Sequence, residues 1–234
     1  MNPTITVTGL SNAEFLEQFA LPGRVGLAGG PTLIDRAIGR AQRHIDDDKI
    51  WSRWGHAFLF QGKRHDKRDW VIESDLEIHR KHIRLGVQEN RLEKFHNQAM
   101  FGSLAVLDFG LSEEQTSLLL GRALELVAAR TRYSLRELIG TLVALRHPSL
   151  RGRANPLARP HSYYCSAFVH HLFRSSGIDL APGLDEKHTT PEDLWRSLAP
   201  HTAYVLDRPV PENGTTAAKQ SRVRGLLRRR KAKA

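Results

Sequence analysis

The chain contains a single cysteine, Cys165, among its 234 residues. One thiol cannot form an intrachain disulfide, so no framework of covalent cross-links holds the fold together. A hydrophobic core must do so instead, and a chain of this length can bury roughly 70% of its unfolded surface. We therefore expect one main domain that is stabilised by apolar packing rather than a small cross-linked scaffold.

Strand-like and helical segments follow one another without a regular βαβ alternation. Aromatic and β-branched residues predict strands at residues 24–28, 54–60, 70–78, 104–109 and 203–206. Helical periodicity or capping signals predict helices at residues 12–19 and 32–44, and after Ser112, Ser134, Ser162 and Thr190. This order is typical of an α+β domain.

Cys165 is expected in the first turn of one of these helices. Pro156 and Pro160 break the chain before it, Ser162 is a suitable N-cap, and Gly177 marks the far end. A thiol in a first turn lies near the positive end of the helix dipole, which favours the reactive thiolate. Cys165 is therefore a candidate nucleophile.

A structural role for Cys165 is the alternative. The residue begins an apolar stripe at helical spacing, together with Phe168, Val169, Leu172 and Phe173. Free cysteine is among the most buried residue types, and in many proteins it only packs in the core. A catalytic role therefore needs a histidine from elsewhere in the sequence.

His56 is the candidate base, because it lies inside a strand-like segment that would hold its ring rigidly. Residues 61–69 form a polar hairpin loop to the next predicted strand. If Phe58 pairs with Val71, then His56 faces Glu73, which would fix the tautomer of the ring. Asp75 takes this place if the register shifts by two residues. A purely structural His–Glu hydrogen bond is the other interpretation.

No metal site is predicted, and no cofactor is expected. His79 and His82 are three residues apart, but Arg80 and Lys81 between them would repel a cation. The ligand spacings of common zinc sites, such as HExxH or paired cysteines, do not occur in the sequence.

The formal net charge of +10 is concentrated at the C-terminus. Eight lysines and arginines lie between Lys219 and Lys233, which leaves 27 basic against 25 acidic residues in the rest of the chain. We expect a domain over residues 1–210 and a basic, disordered tail over residues 211–234. Residues 217–234 are a candidate contact for nucleic acid or an anionic membrane, and the alternative is a solvated end.

No apolar run approaches the roughly 20 residues of a membrane span. The first residues also lack the basic region and continuous apolar stretch of a signal peptide. We therefore expect a cytoplasmic protein, with export by a route without a cleaved signal as the alternative.

Three stretches together resemble the permuted papain-like amidases of the NlpC type, in particular the YiiX/YaeF-like group. They are WSRWGHAFLFQG at residues 51–62, WVIES at residues 70–74 and YYCSAFV at residues 163–169. Weaker similarities occur in LPGRVGL at residues 21–27 and TTPEDLWRS at residues 189–197. The sequence departs from the group at Gly55, where Ser is common, and at Ala167, where Glu is common.

The resemblance implies a circularly permuted papain-like fold, with an antiparallel sheet packed against helices. It implies a thiol hydrolase that cleaves amide bonds through an acyl-enzyme, with Cys165 as nucleophile, His56 as base and Glu73 as orienting acid. The main-chain amide of Cys165 and the Tyr164 hydroxyl are the candidate oxyanion donors.

Two other functions remain open from the sequence. The same fold hosts lipid acyltransferases and phospholipases resembling LRAT, which act on acyl esters. A non-catalytic protein that binds nucleic acid or membrane through its basic tail is the second alternative.

Overall fold

The computed structural model describes residues 2–31, 33–45, 50–78, 83–132, 135–155, 157 and 162–208. The strands are β1 (Thr4–Val7), β2 (Val25–Gly29), β3 (His56–Lys63), β4 (Asp69–Ile78), β5 (Ile83–Arg91), β6 (Ser103–Asp108) and β7 (Thr202–Leu206). The α-helices are α1 (Asn12–Phe19), α2 (Leu33–Gln42), α3 (Glu113–Ala128), α4 (Leu135–Ala144), α5 (Cys165–Ser175) and α6 (Pro191–Trp195). Short 3₁₀ turns lie at Leu92–His96, Pro148–Leu150 and Glu186–His188. The predicted α+β class is confirmed.

The strands form one seven-stranded sheet in the order β1-β7-β6-β2-β3-β4-β5. Its neighbours are antiparallel, except that β1 and β7 are parallel. Capping explains several helix starts: Ser11, Ser112 and Thr190 each form a capping box, as expected for Ser or Thr followed three residues later by an acid or amide. Among the described residues, no helix is long and apolar enough to cross a membrane.

The sheet has apolar residues on both faces. In β3, Ala57 and Leu59 pack into a core that includes Phe168 of α5, while Phe58 and Phe60 pack into a second core on the α1 side. This alternation follows from the two-residue period of a strand. Helix α5 is thereby held against β3, the strand that carries His56.

The predicted register of β3 and β4 is wrong by two residues. Val71 pairs with Phe60, not with Phe58, and the pairing becomes irregular between Phe60 and Gly62. β3 ends at Lys63 and β4 begins at Asp69, so the connection between them is also shorter than the predicted loop. Because the shift is an even number up to Phe60, His56 and Glu73 stay on the same face of the sheet, as predicted.

Two strands were not predicted. β1 is a four-residue strand at the edge of the sheet, and β5 pairs with β4 in a long hairpin. His79, His82 and the basic segment 211–234 lie outside the described residues. The proposed division between a domain and a tail remains a prediction.

Candidate functional site

Cys165 is the first residue of α5, as predicted, and it is 5% exposed. The N-cap differs from the prediction: Tyr164 occupies that position in an extended conformation, without a side-chain capping bond. Ser162 is instead buried in a bridge to Arg132, because this stretch runs beside another chain segment before the helix starts. Gly177 follows the helix with φ of +84°, as expected for a C-terminal glycine.

The chain that leads into α5 is anchored on two sides. The Ser74 hydroxyl donates to the Tyr163 carbonyl at 2.5 Å, and the Lys187 ammonium donates to the Ser162 carbonyl at 3.1 Å. These bonds connect the first turn of α5 to β4 and to the 3₁₀ turn before α6. The position of the sulfur is therefore set by the sheet as well as by the helix.

His56 is the first residue of β3 and pairs with Ala28 of β2. Its ring stacks beside Phe58 and Phe95, with centroids 5.9 and 6.3 Å away. Gly55 precedes it because a Cβ there would lie 2.6 Å from the Asp35 carboxylate. A side chain at position 55 would therefore collide with Asp35.

Glu73 lies at the centre of a hydrogen-bond network. Its Oε2 is 2.5 Å from His56 Nε2, and its Oε1 accepts from Asn90 Nδ2 and from Lys94 Nζ, each at 2.7 Å. Its side chain is fully buried. Glu73, and not only the sheet, therefore fixes the orientation of the His56 ring.

Lys94 joins the two carboxylates that were considered as orienting groups. Its ammonium contacts Glu73 and also Asp75 Oδ2, at 2.7 Å each. Neither Asn90 nor Lys94 was identified from the sequence, because β5 and the following 3₁₀ turn were not predicted. Lys94 lies between Leu92 and Phe95, which are both buried. A charged residue among buried apolar residues needs a partner of opposite charge, and this sequence context was the available signal.

The network shifts two pKa values in opposite directions. Burial alone would raise the pKa of Glu73, but its bonds to His56 and Lys94 outweigh burial and lower the pKa to about 2. Burial alone would lower the pKa of His56, but hydrogen bonds and charges from Cys165 and Glu73 outweigh it and raise the pKa well above 6.5. The site thus favours an ionised Glu73 and stabilises the imidazolium that forms when His56 accepts a proton.

The predicted nucleophile and base are neighbours in the fold, since Cys165 is among the groups that raise the pKa of His56. Because Nε2 of the ring faces Glu73, Nδ1 is the nitrogen left for the sulfur. A carboxylate that accepts the Nε2 proton leaves Nδ1 able to take a proton from a thiol. The arrangement can perform general-base and general-acid chemistry at sulfur.

Tyr164 is not arranged as the predicted oxyanion donor. Its hydroxyl donates to the Thr189 carbonyl at 2.9 Å and lies 2.9 Å from Thr141 Oγ1, and the residue is 1% exposed. Tyr164 is the N-cap of α5, and from this position its side chain extends into the core beside α4. The main-chain amide of Cys165 remains a candidate donor, since the first N–H groups of a helix have no partner within it.

The two histidines of α5 have structural partners. His170 is fully buried and bonds Thr189 Oγ1 at 2.6 Å and Asp179 at 2.9 Å. His171 faces the Glu186 carboxylate at 3.2 Å. Ala167 is also fully buried, so a carboxylate at this position would lie in the core.

The ligand atoms of His56, Glu73 and Asp75 lie within 4.8 Å of one another, close enough to be tested as a metal site. They do not fit one. The Lys94 ammonium already contacts both carboxylates, and His56 directs Nε2 at Glu73 rather than at a shared centre. A divalent cation would have to displace a cation that is already paired.

A cavity of about 540 Å³ begins at the end of β2, next to the residue that pairs with His56. Gly29, Gly30, Asp35, Ser52 and Arg53 contribute to its lining. Its lining mixes polar and apolar groups, and neither His56 nor Cys165 is among the described residues that line it.

No family model matches the sequence, and no curated protein matches it. A solved structure does match: the metalloprotein YiiX of Escherichia coli O157:H7, described as DUF1105, with a TM-score of 0.50. The fold of the chain is YiiX-like. The match covers 81% of this chain and 98% of YiiX at 13% sequence identity, so it shows a shared fold and no more.

Proposed function

We propose that the protein is a thiol hydrolase that cleaves amide bonds through an acyl-enzyme. The observation that carries the proposal is the Cys165–His56–Glu73 arrangement, in which a thiol at a helix start meets an imidazole that a buried carboxylate orients. Each part matches a role that nucleophilic catalysis requires.

In the first half-reaction, Cys165 Sγ forms a bond to the carbonyl carbon of the substrate. His56 takes the thiol proton and gives it to the leaving nitrogen as the carbon–nitrogen bond breaks. In the second half-reaction, His56 takes a proton from water as the hydroxide forms a bond to the thioester carbon. The carbon–sulfur bond then breaks, the acid is released, and the proton returns from His56 to sulfur. Glu73 holds the ring and stabilises the imidazolium throughout.

The negative oxygen of each tetrahedral intermediate needs donors. We assign the main-chain N–H of Cys165 as one of them, and a well-placed donor of this kind contributes roughly 3–4 kcal/mol. The positive end of the α5 dipole acts in the same direction. Tyr164 has no part in this proposal, because its hydroxyl is bonded to the Thr189 carbonyl.

A permuted papain-like architecture is part of the proposal. The base, the acid and the nucleophile occur in the order His56, Glu73, Cys165, on β3, β4 and α5. A triad is defined by its geometry and not by chain order, so this order is compatible with papain-like chemistry. The fold shared with YiiX and the motifs at residues 51–62 and 163–169 support it.

YiiX is described as a metalloprotein, but the proposed mechanism has no metal-dependent step. In this chain, Lys94 and His56 already occupy the carboxylate oxygens that a cation would use. Hydrolysis that persists in the presence of a strong chelator is the corresponding expectation.

The test uses a panel of aminoacyl amides, short peptides, muropeptides and phospholipids, with release of each product measured for wild type and Cys165→Ala. We expect amide cleavage by wild type only, with little change in the thermal midpoint of the variant. If the Cys165→Ala variant keeps full activity, the thiol mechanism is wrong. Wild type that cleaves only phospholipid esters overturns the amide assignment and favours an LRAT-like activity.

Because Cys165 is the only cysteine, its alkylation can be followed without interference. We expect iodoacetamide to react with wild type much faster than with His56→Ala, since the imidazole accepts the thiol proton. His171→Ala is the matched control, because His171 faces Glu186 rather than the sulfur. Equal rates in wild type and His56→Ala would contradict the proposed pairing.

A further inference from the structure

A second cavity, of about 430 Å³, opens between α4 and the 3₁₀ turn that precedes α6. Its lining is mostly aliphatic and includes Val143, Ala144, Leu150 and Leu157. Its volume falls within the roughly 300–1,000 Å³ that is usual for small-molecule pockets. The cavity is thus large and apolar enough to hold an organic ligand.

His188 lies in the wall of this cavity and is 1% exposed. Neither ring nitrogen has a hydrogen-bond partner among the residues that the structure describes. A buried donor or acceptor without a partner costs about 1–3 kcal/mol, so such groups are rare unless a ligand or water supplies the bond. His188 is therefore the group in the wall that a ligand would satisfy.

The surroundings of His188 favour the neutral ring. Burial, followed by the charge of Arg151, lowers its pKa, and the nearby charge of Asp185 only partly opposes this. A neutral imidazole has one N–H donor and one nitrogen acceptor. The group that satisfies such a ring best both donates and accepts, as a hydroxyl does.

We propose that this cavity binds a small apolar alcohol, with the hydroxyl at His188 and the hydrocarbon part against the aliphatic wall. The site is separate from the proposed catalytic group. Its described lining includes none of Cys165, His56 and Glu73. The proposal therefore does not depend on thiol chemistry.

The test measures binding of 1-octanol by calorimetry to the full chain and compares it with 1-methoxyheptane. The two molecules have the same heavy atoms, but the ether cannot donate a hydrogen bond. We expect wild type to bind octanol about tenfold more tightly than the ether, the value of one buried hydrogen bond. His188→Leu should bind both molecules equally, and its thermal midpoint without ligand should not fall.

Val143→Trp narrows the cavity and should weaken binding of both molecules, while alkylation of Cys165 continues at the wild-type rate. Imidazole nitrogen chemical shifts of wild type provide a readout that needs no variant: one buried histidine should respond to octanol. Equal affinities for alcohol and ether, tighter binding of octanoate than of octanol, or binding that Val143→Trp leaves unchanged would each overturn the proposal. So would the absence of saturable binding.

Discussion

His56 Nε2 lies 2.5 Å from Glu73 Oε2 although the two residues do not face each other across the strands. Val71 pairs with Phe60, and the same register continued along the strands would place Asp75 opposite His56. Glu73 is thus a diagonal neighbour on the same face, at a separation that long side chains can span. The longer glutamate reaches the ring, while Asp75 contacts Lys94.

This geometry predicts that Glu73 and Asp75 differ in importance for catalysis. Glu73→Gln should slow turnover on the order of 100-fold, because the amide can donate to Nε2 and so stabilise the tautomer with its proton on Nδ1. Asp75→Asn, which keeps an acceptor for Lys94, should slow it less than about threefold. Turnover on the amide substrate and the alkylation rate of Cys165 measure both effects. Equal losses in the two variants would show that the ring is not oriented by Glu73.

Much of the architecture could be predicted from short-range signals. The capping boxes at Ser11, Ser112 and Thr190 fixed helix starts, because each places a side chain on a free amide within three residues. The aromatic and β-branched segments around His56 and Glu73 indicated their strands. The face that these two residues share was also predictable, since it depends only on parity.

The remaining features depend on contacts that are distant in the sequence. The strand register is set by packing on both faces of the sheet and by the irregularity after Phe60, which no local pattern specifies. Lys94 reaches Glu73 only because β5 folds back beside β4. The Tyr164 hydroxyl is bonded by Thr141 and Thr189, which come from two other parts of the chain.

Lys94 should stabilise the fold as well as the site. Lys94→Met leaves Glu73 buried with one cationic partner fewer, and removing one member of a buried ion pair costs about 3–5 kcal/mol. The lysine side chain is a quarter exposed, so solvent weakens the pair. We therefore expect the free energy of unfolding to fall by about 2 kcal/mol. Chemical denaturation measures it, and Lys94→Arg, which keeps the charge, should recover most of the loss. A fully stable Lys94→Met protein would contradict the role of this pair.

The stability provided by Glu73 should disappear in acid. Its pKa is lowered from 4.5 to about 2 in the folded protein, so the stabilisation is complete above 4.5 and is lost as the pH falls towards about 2. The difference in thermal midpoint between wild type and Glu73→Gln should therefore shrink over that range. A difference that stays constant from pH 6 to pH 2.5 would show that the carboxylate is not stabilised by folding.

The stability provided by His56 should be lost as the pH rises rather than as it falls. Its pKa is raised above 6.5 in the folded protein, so its stabilisation is complete below 6.5 and is lost as the pH rises through the folded-state pKa. We expect wild type to lose its advantage in thermal midpoint over His56→Gln as the pH rises from about 6 to 10. An advantage that grows with pH would reverse the sign and contradict the ion pair with Glu73.

Two glycines beside the cavity next to His56 provide a matched test of how the site is built. A Cβ at Gly29 would lie 1.7 Å from the carbonyl oxygen of Arg53, whereas a Cβ at Gly102 would have no neighbour within 4 Å in the described part of the chain. Gly29→Ala must push away the chain that leads into His56, so it should cost more than about 2 kcal/mol and reduce alkylation of Cys165. Gly102→Ala should change stability by less than about 1 kcal/mol, because it only restricts the unfolded chain. Chemical denaturation and the alkylation rate of Cys165 measure both effects in the two variants. A Gly29→Ala protein that is stable and fully reactive would show that the close approach of Gly29 to Arg53 does not position His56.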